Sequence, residues 1–489
     1  MEGLNETSKE WFRIAHCPSG INGPLEWQEF SCVITIPENT TKIREVLNAG
    51  WSSQPYQVAT TWFDSFFVTK LSIVTDPKLK AEAVSSSLNF PTGMTFVGQD
   101  DMLVLEKDKG MVQKIVNQVR STEPVIDLAV RQNDGLLAIA KDKNMTTGQN
   151  GIVQSTYVYL YFTATEKGDK DQTDQTKEPA RNRLYRYEYL NDTLINPKLL
   201  LDLPAAFTHN GGKIVIGPDK YVYLSVGELR NRSISEIKNT ALNYAGQGAN
   251  ESDGRGGILR IDQNGRPGIP ILGNKEPLNK YYAYGIRNSF GMDFDPLTGK
   301  LWGTENGPEW GDEINLVEPG FNSGNNKVQG IWNVLKDDKK GSIASESPDN
   351  LVDFGGRGKY SSPEFTWNRT VGPTDLKFVS TDKLGKKYEN DMLVADVNNH
   401  RIYDFKLNKN RTALLLQGPL TDKVADSDKE LADLIFAEGF DDIITDLDIG
   451  PDGYLYVVAG KIFRIVPGDQ KDEFLPYLDY VSKNGFVMD

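Results

Sequence analysis

One pattern limits what this chain can fold into. From about residue 88 onward an apolar strand, a tight Asp/Gly/Pro turn and a second apolar strand recur six times. The copies begin at 93–97 turning to 102–105, at 126–130, and at 214–224. They continue at 291–304, at 375–378 with 391–396, and at 446–458. Further strand-like runs follow most copies, for example 183–187, 257–261, 401–405 and 462–465. Short strands with such turns, and no helical period between them, signal radial β repetition. The expected fold is therefore all-β: a six-bladed β-propeller over 88–467, with an N-terminal extension over 1–87 and a C-terminal tail over 468–489. The Pro-Asp-Gly turns reverse the chain and are assigned no chemistry.

Within the extension, 31–36 reads as a strand, 41–48 as a short helix and 56–74 as one or two strands. Three insertions interrupt the repeat. Residues 166–181 and 336–362 are polar and predict solvated loops. Residues 422–437 predict a surface helix with Leu431, Leu434 and Ile435 on one face.

A formal charge of −14 argues against nucleic acid and against an anionic membrane surface as partners. No apolar run approaches the ~20 residues needed to span a bilayer, and no basic segment followed by an apolar run marks a leader. The two cysteines are Cys17 and Cys32. A bridge between them would close a loop worth about 3 kcal/mol; the alternative is two free thiols. Eight Asn-X-Ser/Thr sequons stand at Asn5, Asn39, Asn144, Asn191, Asn231, Asn250, Asn368 and Asn410. The cysteine pair and the sequons favour an extracytoplasmic protein, secreted, periplasmic or at the cell surface, whereas the missing leader leaves a cytosolic protein or a trimmed start as the alternatives.

The residues able to do chemistry gather at predicted strand ends, where side chains converge while sheets hold them rigid. His209 precedes Asn-Gly-Gly, a turn that presents its ring for proton transfer near neutral pH. Glu228 closes the same hairpin and is the natural carboxylate to orient it. Arg287 and Asn288 suit a clamp on a carbonyl or anionic oxygen; the alternative is an Arg pairing a neighbouring blade. Gly307, Pro308, Asp312 and Glu313 offer the carbonyl and carboxylate oxygens that Ca²⁺ prefers. No His/Cys cluster, phosphate-binding glycine loop or dinucleotide fingerprint supports Zn or NAD.

The runs HNGGKIVIGPDKYVYLSVGE (209–228), GGILRID (256–262), YGIRNSFGMDFDPLTGKLWGTENGPEWGDEINLVEPGFNSG (284–324) and ITDLDIGPDGYLYVV (444–458) resemble the glucose/sorbosone dehydrogenase family. The resemblance implies a soluble six-bladed propeller that uses pyrroloquinoline quinone and Ca²⁺ to oxidise aldose sugars at C1 to lactones. It casts His209 as the general base, Glu228 as its acidic partner, and Arg287 as the contact to the quinone carbonyl. Gly307 and Pro308 supply the carbonyls for Ca²⁺. The chain also departs from the family pattern. Basic residues that hold the cofactor's carboxylates align with Asn398, Ile443 and Thr445, a channel glutamine with Thr122, and a histidine with Ile286. Arg401, His400, Arg230 and Arg232 are the cations left to substitute. The implied partners are a small sugar and an electron acceptor. The alternative reading is a non-catalytic cell-surface propeller that has lost the quinone and binds a glycan or protein.

Overall fold

The computed structural model describes residues 2–5, 10–13, 40–44, 73–85, 88–131, 134–142, 156–165, 180–229, 253–325, 327–331, 347–349, 351–440 and 442–468. Two compact units emerge, Met1–Lys70 and Leu71–Asp489. In the first, strands Glu2–Asn5, Glu10–Arg13 and Thr40–Arg44 form one antiparallel sheet with Glu2–Asn5 at its centre. The helix expected over 41–48 is thus a strand at its start. Thr40 and Thr41 are β-branched and prefer the pleated backbone. The expected strand at 31–36 and the Cys17–Cys32 pair lie outside the described residues, as do Arg230 and Arg232.

The second unit is all-β and has a β-propeller arrangement. Its strands form sheets that follow one another along the chain. The innermost strands of successive sheets are Pro91–Phe96, Leu136–Lys141, Ile214–Ile216, Met292–Phe294, Pro373–Phe378 and Asp446–Ile449. Each touches the next, and the last touches the first, so the ring closes on itself. The final sheet is completed by Leu79–Ala83, which pairs antiparallel with Lys461–Pro467. Residues that the sequence assigns to the N-terminal extension therefore form the outer strand of a sheet built from the other end of the chain. This closure covers an edge that would otherwise be open.

The turns work as the sequence implies. At 217–221 the Gly217 N–H donates to the Tyr221 carbonyl at 2.9 Å, and the Tyr223 hydroxyl donates to Asp219 at 2.8 Å. The 450–456 turn repeats both contacts, at 2.9 Å from Gly450 N–H to the Tyr454 carbonyl and 3.0 Å from Tyr456 to Asp452. Each Pro-Asp turn is thus pinned by its own Asp and by a tyrosine on the returning strand. Between sheets lie apolar layers. One packs Trp302, Phe365, Trp367, Tyr403 and Phe405, with Phe365 and Trp367 edge to face at 4.9 Å. Burying such rings is the main favourable term holding neighbouring sheets together.

Three other expectations change. Ile126–Asp127 does not begin the second sheet; it pairs with Met111–Val116 of the first, and Leu136–Lys141 takes the inner position. The continuous apolar run Leu136-Leu137-Ala138-Ile139-Ala140 suits a strand buried on both sides. Residues 422–437 hold a short strand, Val424–Ala425, one α-turn, Asp428–Leu431, and a 3-10 turn, Ala432–Leu434, in place of a continuous helix. Ile435–Glu438 is instead a strand beside Arg401–Phe405, because sheet pairing outcompetes local helical spacing there. In the 336–362 insertion, Lys359–Tyr360 adds a short strand to the third sheet.

Candidate active site

His209 sits just before the third inner strand, and Glu228 just after the strand that returns from it, Val222–Val226. An antiparallel hairpin brings its two ends together, so residues 19 apart in sequence meet: His209 Nδ1 lies 2.7 Å from Glu228 Oε1. The carboxylate accepts from Nδ1–H, which leaves the Nε2 lone pair free to take a proton. The His209 side chain is 15% exposed and that of Glu228 2%, so only the imidazole can meet a ligand. The other Glu228 oxygen, Oε2, is buried without a hydrogen-bond partner.

The backbone here tolerates little change. His209 has φ +58°, a left-handed conformation uncommon for a residue with a Cβ. A Cβ on Gly227 would lie 2.1 Å from the His209 carbonyl oxygen. The next residue, Asn210, is a buried clamp: its side chain accepts from Ala206 N–H at 3.0 Å and donates to the Ala206 carbonyl at 2.8 Å. Asn182 donates to the same Asn210 oxygen at 2.9 Å.

Hydrogen bonds carry the site into the fourth sheet. Glu228 N–H donates to the Arg287 carbonyl at 2.8 Å, and Arg287 Nη1 donates to the Asn306 carbonyl at 2.7 Å. Asn288 accepts from Gly211 N–H at 3.1 Å, so it braces the His209 turn rather than facing a ligand with that oxygen. His209, Glu228, Arg287 and the Gly307–Pro308 turn thus form one bonded group at one end of the ring.

Asp312 and Glu313 hold that turn from behind. Asp312 accepts from Gly307 N–H with one oxygen, and from Thr370 Oγ1, Val371 N–H and Gly372 N–H with the other, all at 2.7 Å. Burial raises its pKa, and the four donors oppose the rise. Glu313 accepts from Gly330 N–H at 2.6 Å and Asn315 at 3.0 Å. Burial pushes Glu313 up to about 7. These saturated carboxylates shape the loop and offer no open ligand. The carbonyls of Gly307 and Pro308 accept no hydrogen bond among the described residues, which suits a hard cation such as Ca²⁺. Glu305, which sequence reasoning missed, lies directly across from Glu313 in the sheet and accepts Arg287 N–H at 2.8 Å. Its place two residues before Gly307, ending a strand, was the available signal.

The remaining cofactor positions fit less well. Asn398 donates to the Thr370 carbonyl at 3.2 Å, and Thr445 Oγ1 donates to the Pro91 carbonyl at 2.8 Å; with Ile443, none brings a cation. Arg401 is not brought to the group. It begins the third strand of its sheet and pairs with Glu438 on the fourth at 2.9 Å. His400 Nδ1 faces the Phe440 carbonyl at 3.3 Å. Thr122 is exposed beyond the outer strand of the first sheet rather than in the channel. Ile286 is buried.

Below this end the channel is crossed by charge. Lys213 spans from the third inner strand to Asp375 and Asp446, each at 2.7 Å. Two residues further along these strands, Lys377 meets Asp448 at 2.9 Å and Asp293 at 3.6 Å. The spacing of two is the pleat repeat that turns alternate side chains inward. These layers form the floor of the site, and both lysines are committed to aspartates.

Comparison with known proteins identifies the family and the fold. A family model described as Glucose / Sorbosone dehydrogenase matches residues 88–462. Quinoprotein glucose dehydrogenase B of Acinetobacter calcoaceticus is 26% identical over 280 residues, covering 54% of this chain and 55% of that protein. An aldose sugar dehydrogenase of Escherichia coli is 24% identical over 274 residues, covering 53% of this chain and 60% of its own length. The chain therefore spans little more than half the length of these two relatives. The PQQ-bound aldose sugar dehydrogenase of Streptomyces coelicolor superposes with a TM-score of 0.54 at 21% identity, covering 80% of this chain and 98% of that one.

Proposed function

This chain belongs to the glucose/sorbosone dehydrogenase family, and on that premise we propose that it oxidises aldose sugars at the C1 hydroxyl to lactones, with a quinone as electron acceptor. The observation that carries the proposal is the His209–Glu228 pair at 2.7 Å, bonded through the backbone to Arg287. In this reading Nε2 of His209 removes the C1 hydroxyl proton, while Glu228 fixes the ring and stabilises the imidazolium. Arg287 places its charge where an oxygen gains negative charge. The inner strands are read as six blades around one channel, with the Lys213 and Lys377 layers as a floor that keeps the sugar at the His209 end.

The chain's fit to the cofactors is divided. The free carbonyls of Gly307 and Pro308, on a turn clamped by Asp312, suit Ca²⁺. Arg287 suits a quinone carbonyl, but the residues that would face the carboxylate end of pyrroloquinoline quinone, Asn398, Ile443 and Thr445, would bring no charge. Each missing charge-assisted bond is worth about 1.5–3 kcal/mol, so affinity for that quinone is weak. The test is calorimetric titration with pyrroloquinoline quinone plus Ca²⁺, followed by dye-linked oxidation of an aldose panel. His209→Ala should lower kcat by about 10²–10⁴-fold with the fold intact. Undiminished turnover in His209→Ala, or no aldose oxidised by the native chain, refutes the proposal.

We also assign the protein to an extracytoplasmic compartment, with Cys17 and Cys32 bridged. Of the described sequons, Asn191 and Asn410 are exposed, whereas Asn368 donates its side-chain amide to Asp426 at 2.7 Å. Among the described residues no helix is long and apolar enough to cross a membrane. Non-reducing peptide mass mapping that finds two free thiols in secreted material overturns the bridge.

A further inference from the structure

His209 has φ +58°, a left-handed conformation that a residue with a Cβ keeps only where its surroundings over-determine it. Whatever fixes that turn also fixes the ring against Glu228. Three groups of hydrogen bonds do so. Leu229 N–H donates to the His209 carbonyl at 3.2 Å and holds the peptide plane that follows His209. The next plane, between Asn210 and Gly211, is bonded on both edges. The Tyr161 hydroxyl donates to the Asn210 carbonyl at 2.9 Å, and Gly211 N–H donates to Asn288 at 3.1 Å. The third group holds the Asn210 side chain.

Asn210 uses both ends of its amide. Oδ1 accepts from Ala206 N–H at 3.0 Å and from Asn182 Nδ2 at 2.9 Å; Nδ2 donates to the Ala206 carbonyl at 2.8 Å and reaches Asp134 at 3.4 Å. Asn182 is itself fixed. It donates to the Pro204 carbonyl at 3.0 Å and accepts from Thr163 Oγ1 at 2.7 Å. Tyr161 and Thr163 lie on Thr156–Ala164, and Asn182 lies directly opposite Thr163 on Arg181–Leu190. Residues two apart on a strand share a face, so the groups that hold Asn210 project from one face of the second sheet. Tyr161, Thr163 and Asn182 are all fully buried.

Apolar side chains of the same shape would pack this layer well, whereas a buried hydroxyl or amide needs its partner to offset desolvation. Here both reach Asn210, 49 residues from Tyr161 and 28 from Asn182. By contrast, Tyr223 and Tyr456 bond the aspartate four residues back in their own turns. The second sheet therefore sets the geometry of the turn that leads into the third. Which imidazole nitrogen carries the proton is decided by the bond the other makes. A ring released from Glu228 exchanges between both tautomers, and the fraction protonated on Nε2 cannot accept a proton from a substrate.

We propose that Tyr161 and Asn182 are positioning residues for His209: by holding Asn210 they keep the ring on Glu228 and its Nε2 lone pair free. The inference rests on the reading of His209 as the general base and deepens it. The test is ¹⁵N-histidine NMR of the full chain without cofactor, with the imidazole neutral. Only His16, His209 and His400 contribute, and the His209→Ala spectrum identifies the His209 signals. The native chain should show His209 protonated on Nδ1. Tyr161→Phe and Asn182→Ala should each add the Nε2–H form. In dye-linked oxidation they should lower kcat by about 10- to 100-fold, with KM changed by less than about 3-fold. Tyr456→Phe, which removes a comparable hydroxyl bond from the sixth sheet, should leave tautomer and kcat native. Should Asn182→Ala fail to fold, Tyr161→Phe decides alone. A native tautomer and kcat in folded Tyr161→Phe, or the same tautomer change in Tyr456→Phe, overturns the positioning role. If the tautomer shifts as expected but the native chain oxidises no aldose, the positioning stands and the dehydrogenase reading fails. If aldoses are oxidised and the tautomer does not move, the reverse holds.

Discussion

Replacing Lys213 with methionine tests the channel floor most sharply. Its ammonium is the shared partner of Asp375 and Asp446, 2.7 Å from each. The Asp375 side chain is fully buried. Methionine fills similar volume but leaves two carboxylates facing one another without the cation. Breaking a buried pair from one side costs about 3–5 kcal/mol. For a domain of this length the unfolding entropy is about 0.8 kcal/mol per degree, so Tm should fall by about 4–6 °C. The loss should depend on pH. Burial already holds Asp375 well above the usual carboxylate range, with Lys213 opposing that rise; without Lys213 the pKa climbs further. A carboxyl raised in the folded state loses stability as pH increases from its unfolded value through its folded one. Lys213→Met should therefore be milder at pH 5, where the raised Asp375 carboxyl takes up a proton more readily, than at pH 8. Adding Asp375→Asn should recover part of the loss at pH 8. The measurement is guanidinium chloride unfolding, with calorimetric Tm, at both pH values. A loss below ~1 kcal/mol at pH 8, or equal losses at the two pH values, would refute the triad as a stabilising layer.

Other variants address the site and its surroundings. Glu228→Gln keeps the shape and an acceptor oxygen but removes the negative charge that stabilises a protonated His209; sugar oxidation should fall by about 10²-fold in kcat, with Tm nearly unchanged. Gly227→Ala places a methyl against the His209 carbonyl, predicted at 2.1 Å without relaxation; calorimetry should show destabilisation of about 1–3 kcal/mol together with lost turnover. Asp312→Ala removes the acceptor shared by Gly307, Thr370, Val371 and Gly372; Ca²⁺ affinity, read by titration, should weaken along with the fold. Asp404 is pushed up to about 7 by burial and then by Asp391, so it makes stability decline as pH rises from about 4 to 7; Asp404→Asn should flatten that slope in a series of Tm measurements across this range.

The strand-turn-strand repeat was legible because its causes are local. Alternating apolar residues and Pro-Asp turns dictate hairpins whatever surrounds them. For the same reason the His209–Glu228 meeting could be read from the chain: the two residues end one hairpin. Family motifs pointed to Arg287 and the Gly307–Pro308 turn, which the backbone bonds join to the same group. Local spacing misled at 422–437, where the strand pairing of Ile435–Glu438 with Arg401–Phe405 overrides a helical pattern. It also could not say that Asp312 and Glu313 spend their oxygens bracing a turn, or that Arg401 points to Glu438. Those outcomes depend on which backbone donors and side chains arrive from elsewhere. The channel floor is the clearest case, since Lys213 meets Asp375 across 162 residues and Asp446 across 233. Closure of the last sheet by Leu79–Ala83 is another. The sequence by itself determined the hairpins and the residues at their ends, because short-range sterics and hydrogen bonding set them. Only the closed ring decided which distant charges share the channel, because the contacts among inner strands exist only once the first and last sheets have met.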